Sequence, residues 1–140
     1  METAMVRKVL IGLASVLAAW CALADAPQVA QVSQQALLDL QAQKAPMLLL
    51  DVRTPEEFAA GHIAGAVNIP YDQVATHLAE IPKDEEVVLY CKSGRRAGLA
   101  AETLSSNGYS KLGHLDGDMQ GWVAAGRPVE EGTPKPAEAR

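Results

Sequence analysis

Cys91-Lys92-Ser93-Gly94-Arg95-Arg96 places three cationic side chains within five residues of a thiol. A cysteine in such company is favoured as the thiolate, the form that attacks sulfur and other electrophiles. The run before it, Val87-Val88-Leu89-Tyr90, is short, apolar and rich in β-branched residues, which predicts a buried strand. Behind it the Ala-rich stretch from Ala97 to Leu104 predicts a helix. The loop then lies between a strand end and a helix start, where free N–H groups and a partial positive charge welcome an anion. Gly94 permits a dihedral that bulkier residues resist, so the main chain of residues 92–96 can curl into a cradle of N–H donors. The expectation is an exposed sulfur, because three cations keep the loop out of the interior.

Loop length separates two chemistries. Phosphatases of this cysteine type use Cys-x5-Arg, wide enough for a tetrahedral phosphate. Arg96 completes Cys-x4-Arg and Ala97 stands one place further on, so the loop suits a sulfur atom better than a phosphoryl group. Phosphatase or arsenate reductase activity is thus a remote alternative. His62, His77 and His114 have no thiol or carboxylate partners at ligand spacing, so neither a metal nor a cofactor is expected. The formal charge is -5 and the basic residues scatter outside the Cys91 loop, which argues against a nucleic-acid surface. Asp51 and Arg53 are expected to order the loop by ion pairing rather than to touch substrate. Glu57 reads as a capping residue and His62 as a structural hydrogen-bonder in its turn. His77 and His114 carry no functional signal, and Phe58 and Trp122 read as core.

The elements that must hold this loop follow in order along 140 residues, enough for one domain with a real core. Residues 1–24 read as a secretory signal: Arg7 and Lys8, an apolar stretch from Val9 to Leu23, then Ala22-Leu23-Ala24 before a cut at Asp25. An uncleaved anchor is the lesser alternative, since the apolar stretch is short for a bilayer. Trp20 before Cys21 argues against a lipoprotein site. Cleavage removes Cys21 and leaves Cys91 the sole thiol in a periplasmic or secreted protein, with no stable membrane insertion.

Residues 25–32 are an extended lead-in. Ser33 caps a helix through Leu37 and Leu40, and Met47 to Leu50 is a central strand ending at Asp51-Val52-Arg53. Thr54-Pro55-Glu56-Glu57 starts a short helix with a capping box, and Gly61 stops it. A strand over Ala66 to Ile69 follows, and Asp72 caps a helix through Val74, Leu78 and Ile81. After the Cys91 loop its helix ends at Asn107-Gly108, and a weak strand precedes Gly117 and the Trp122 segment. Residues 130–140 are expected to be a flexible tail. Strands alternating with helices predict an α/β fold whose sheet is mainly parallel, with Asp51 and Cys91 at carboxyl ends where ligands bind.

Four separated pieces resemble the rhodanese family. They are Asp51-Val52-Arg53 with Glu57-Phe58; Gly61-His62-Ile63-Ala64-Gly65-Ala66-Val67-Asn68-Ile69-Pro70; the Cys91 to Arg96 loop; and Leu115-Asp116-Gly117-Asp118-Met119 with Trp122. Together they cover residues 33–129, the expected rhodanese domain. With its leader the chain is most similar to the single-domain periplasmic branch, the phage-shock-protein E type. The resemblance implies a five-stranded, mainly parallel sheet with helices on both faces. It also implies a thiosulfate sulfurtransferase with Cys91 as the sulfur-carrying nucleophile, and Lys92, Ser93, Gly94, Arg95 and Arg96 as the substrate-binding loop. Partners would be a small anionic sulfur donor, a thiol or cyanide acceptor, and in a carrier-module alternative a protein donor. Asp118 departs from the pattern, which often has a second glycine there; this bears on the local turn more than on the chemistry.

Overall fold

The computed structural model describes residues 29–133. The leader over residues 1–24 and the end of the expected tail lie outside the described residues. Among those that are described, no helix is long and apolar enough to cross a membrane.

Strand β1 (Ala30–Val32) leads into helix α1 (Gln34–Ala42), whose cap is Ser33: its hydroxyl accepts from the Ala36 N–H at 3.1 Å. Strand β2 (Met47–Asp51) and helix α2 (Pro55–Ala60) follow, the latter opened by the expected Thr54–Glu57 capping box. Then come β3 (Val67–Asn68), β4 (Glu86–Tyr90), α3 (Arg95–Ser106), β5 (Leu112–Leu115) and α4 (Asp118–Ala124). The sheet order is β1-β5-β4-β2-β3 and every strand pair is parallel. Buried on both faces, β2 and β4 show the unbroken apolar runs that such strands need.

Alternation along β4 divides the core. Val87, Leu89 and Cys91 face α3 and the segment after β3, together with Leu50, Val74, Ala100 and Leu104. Val88 and Tyr90 face the other way, with Leu37, Leu115 and Trp122.

Three expectations change. The end of the lead-in is β1, an edge strand paired to β5 with Val32 opposite Leu115. Only Val32 of its residues is buried, so its sequence lacks a strand's apolar pattern, and the open edge of β5 supplies the partner. Asp72 caps no helix. The chain forms two 3₁₀ turns, Tyr71–Thr76 and Leu78–Glu80, with Pro70 at the entrance and no side-chain cap. The Tyr109 hydroxyl lies 3.0 and 2.7 Å from the carbonyls of Leu78 and Ile81 and ties that segment to the body. Finally, the tail does not begin at residue 130. Glu130 exchanges both main-chain hydrogen bonds with His62 at 2.8 Å, and the Gly132 N–H donates to the Ala59 carbonyl. These are backbone bonds, to which composition is blind.

Close packing of β1 on β5 sets a first expected outcome. A Cβ on Gly113 would lie 2.7 Å from Val32 Cγ2, whereas Gly98, within α3, has nothing within 4 Å. Gly113→Ala should cost about 1–3 kcal/mol in urea unfolding, and Gly98→Ala should add about 0.5–1 kcal/mol. A neutral Gly113→Ala would contradict the tight edge.

Candidate active site

Parallel register sets Asp51 directly opposite Tyr90, so the carboxyl ends of β2 and β4 lie side by side. After β2 the chain adds β3 on one side, then returns to place β4 on the other side of β2 and β5 beyond it. Such a reversal opens a crevice above the strand ends. Cys91 is the first residue beyond β4.

Its main chain is held on both sides. The Cys91 N–H donates to Asp118 Oδ1 at 2.9 Å, and its carbonyl accepts from the Met119 N–H at 2.9 Å. The Gln120 N–H reaches the Lys92 carbonyl at 3.1 Å, so the first turn of α4 grips the start of the loop. Gly94, at φ +113, then turns the chain into α3 and donates its own N–H to Cys91 Sγ at 2.9 Å. That left-handed backbone is where a glycine is needed. The amides of Lys92, Ser93, Arg95 and Arg96 find no acceptor among the described residues.

The expectation of an exposed sulfur is corrected. Cys91 is 1% exposed, although Lys92, Ser93 and Arg95 around it are exposed. It continues the alternation of Val87 and Leu89, so its side chain enters the core beside Val52 and Ala97 while the cations point outward. Burial of the thiol and solvation of the loop therefore coexist. The surrounding amides are not spent elsewhere.

The expected substrate-binding cations divide. Arg96 is bound bidentately by Glu57, Nη1 to Oε2 at 2.6 Å and Nη2 to Oε1 at 3.0 Å. Glu57 also accepts from the Thr54 N–H at 3.0 Å, so it closes the α2 capping box and the ion pair at once. Hydrogen bonds from Arg96 hold its carboxyl down at about 2, against a burial effect that would raise it. Lys92 and Arg95 make no ion pair among the described residues. Arg96 is thus a loop anchor here, and the free positive charge belongs to the other two.

Asp51 and Arg53 form a buried pair, Nη2 to Oδ2 at 2.7 Å, with Arg53 also reaching the Gly61 carbonyl at 2.8 Å and stacking over the Tyr90 ring. The pair orders the stretch from β2 to Gly61 and lies one strand away from the sulfur. Asn68 adds hydrogen bonds to the carbonyls of Asp51 and Arg53. His62 stacks on Phe58 at 3.7 Å with Nδ1 2.8 Å from the Phe58 carbonyl, a structural role as expected. Beside the loop opens a cleft of about 650 Å³, walled by Met119, Val123 and Val129, with Arg53, Glu57 and Lys92 at its polar margin.

Two residues escaped sequence reasoning. His114 Nε2 lies 2.9 and 3.1 Å from the two carboxylate oxygens of Asp118, the residue that holds the Cys91 amide. Their i, i+4 spacing spans a strand end and a helix start, so no periodicity brings them together. The only available signal was Asp118 itself, an aspartate where glycine was expected.

The rhodanese-like domain family matches residues 33–125, and the chain belongs to it. A sulfurtransferase of Allochromatium vinosum is 36% identical over 99 residues, covering 71% of this chain and 92% of that protein. The thiosulfate sulfurtransferase PspE of Escherichia coli is 40% identical over 70 residues, 49% of this chain and 67% of that one. A rhodanese-like domain protein from Staphylococcus aureus, solved by crystallography, superposes with a TM-score of 0.65 at 28% identity, covering 75% of this chain and 100% of that one. Of several other relatives the match spans only 38% to 59%.

The Glu57–Arg96 pair stabilises the fold above the ordinary glutamate range and is lost as pH falls toward the depressed value. Between about pH 5 and pH 2.5, wild type should lose roughly 1 kcal/mol more stability than Glu57→Gln, a size suited to a partly exposed pair. Matching acid slopes in urea melts would show that the ion pair contributes nothing.

Proposed function

We propose that this chain is a sulfurtransferase that carries sulfane sulfur as a persulfide on Cys91, with thiosulfate or a similar anion as donor. The thiolate attacks the outer sulfur of thiosulfate; a Cys91 S–S bond forms, the donor's S–S bond breaks, and sulfite leaves with the electron pair. A thiol or cyanide acceptor then takes the outer sulfur and returns the thiolate. The observation that carries this reading is the Gly94 N–H donating to Cys91 Sγ at 2.9 Å, at the mouth of a helix-start loop with amides to spare. Membership of a family with sulfurtransferase relatives supports it. With Cys91 1% exposed, the cover over its sulfur, which includes Ala97 of α3, must shift before a donor reaches it. Export to the periplasm through residues 1–24 belongs to the same proposal.

That burial also favours a second reading, a carrier module that opens only to a protein donor and turns over small donors negligibly. Excess thiosulfate followed by intact-mass analysis decides between them. Wild type should gain one sulfur atom and Cys91→Ser none. Uptake from a protein donor alone would install the module instead.

Free charge at Lys92 points to donor binding. Lys92→Ala should raise the apparent KM for thiosulfate about three- to tenfold and leave kcat within about twofold, as expected for a contact made equally in ground and transition states. A fall in kcat at unchanged KM would place Lys92 in the chemical step instead.

A further inference from the structure

Asp118 takes a left-handed backbone at φ +54, a conformation that suits glycine and that aspartate tolerates when its side chain is well held. Its carboxylate is well held: Asp118 is 4% exposed, Oδ1 accepts from the Cys91 N–H, and His114 Nε2 lies against both oxygens. A Cβ on Gly94 would stand 3.1 Å from Asp118 Oδ2 and 3.4 Å from His114 Cε1. The pair therefore underlies the very turn whose N–H meets the sulfur. A bare carboxylate in that place would repel an anionic donor and an anionic persulfide alike.

We propose that Asp118 and His114 are a positioning pair for the sulfur loop: Asp118 fixes the Cys91 main chain, and protonated His114 cancels its charge so that the loop still admits an anion. The proposal rests on the sulfurtransferase reading only for the identity of that anion. The hydrogen bond to Asp118 raises the affinity of His114 for its proton, against burial, and the charges of Asp118 and Asp116 add to it. Facing His114 from α3 is Glu102, across a shared cavity that Gln31 of β1 also lines. In sheet register its neighbours are Gln31 and, on β4, Leu89, neither of them charged. The acidic surroundings all act in one direction, favouring the charged imidazolium and moving loss of its proton to higher pH than for a free histidine.

The test compares alkylation of Cys91 by anionic iodoacetate and neutral iodoacetamide, reagents of similar size. The full chain is used, and labelling is read on the peptide that carries Cys91. Thiolate fraction and burial affect both reagents alike, so their rate ratio reports local charge. In wild type the ratio should fall roughly fivefold as pH rises through the His114 transition, the effect of one nearby charge in a partly screened loop. His114→Gln should show the low ratio at every pH. Asp118→Asn, which keeps an acceptor for the Cys91 N–H, should keep the high ratio at the pH where wild type has fallen to the low one, and so should the double variant. Asp118→Gly suits the backbone and guards against misfolding; it too should keep the high ratio where wild type has fallen to the low one. A His114→Gln ratio equal to wild type throughout overturns the proposal, as does failure of both reagents to reach Cys91. Thiosulfate uptake by mass in the same samples judges the sulfurtransferase reading separately, since the alkylation ratio does not depend on it.

Discussion

Everything at this site depends on how the main chain of one residue is held. Cys91 donates its N–H to Asp118 and accepts at its carbonyl from Met119, so the residue after β4 is clamped by two consecutive residues at the start of α4. That clamp leaves the loop one way to proceed, through the left-handed turn at Gly94 that brings an N–H to the sulfur. The clamp in turn depends on α4 staying seated, which Trp122 ensures: it is buried, its indole N–H donates to the Pro128 carbonyl, and Arg127 stacks on its ring. A tryptophan that reads as mere core is, by this route, a support of the active loop.

Charge around the loop is arranged in layers rather than concentrated. Nearest the sulfur is a neutral main-chain donor; beneath it lies a carboxylate matched by a histidine; to one side an arginine is matched by Glu57. Of the loop's three cations, Lys92 and Arg95, on the outside, have no ion-pair partner among the described residues. Buried charges need partners, and solvated ones do not, so the pattern follows from depth. It also separates two tasks: attraction of an anion falls to the exterior cations, and shaping the cradle falls to hydrogen bonds within.

The same logic accounts for the Asp51–Arg53 pair. Both side chains are almost fully buried at a strand end, where each alone would be costly, and their shared hydrogen bonds to each other and to Gly61 hold the crevice wall. The crevice is thus lined by groups already satisfied by one another, and the loop amides remain available.

Much of this protein could be read from its residues. The continuous apolar runs Met47 to Leu50 and Val87 to Tyr90, the Thr54–Glu57 capping box and the Ser33 cap are local signals, and each became the element it announced. The Cys91 loop was legible because its glycine and cations are neighbours in sequence. What only the tertiary structure decided is every relation between distant residues: the Glu57–Arg96 pair across 39 positions, the Asp118 grip on Cys91 across 27, and the pairing of Ala30–Val32 with β5. The depth of the sulfur belongs to the same group, for strand parity said which face Cys91 takes but not that α3 would cover it. Local chemistry specifies turns, caps and strands; which side chain neutralises which, and which face is closed, is settled only when the sheet register brings separate segments within hydrogen-bonding distance.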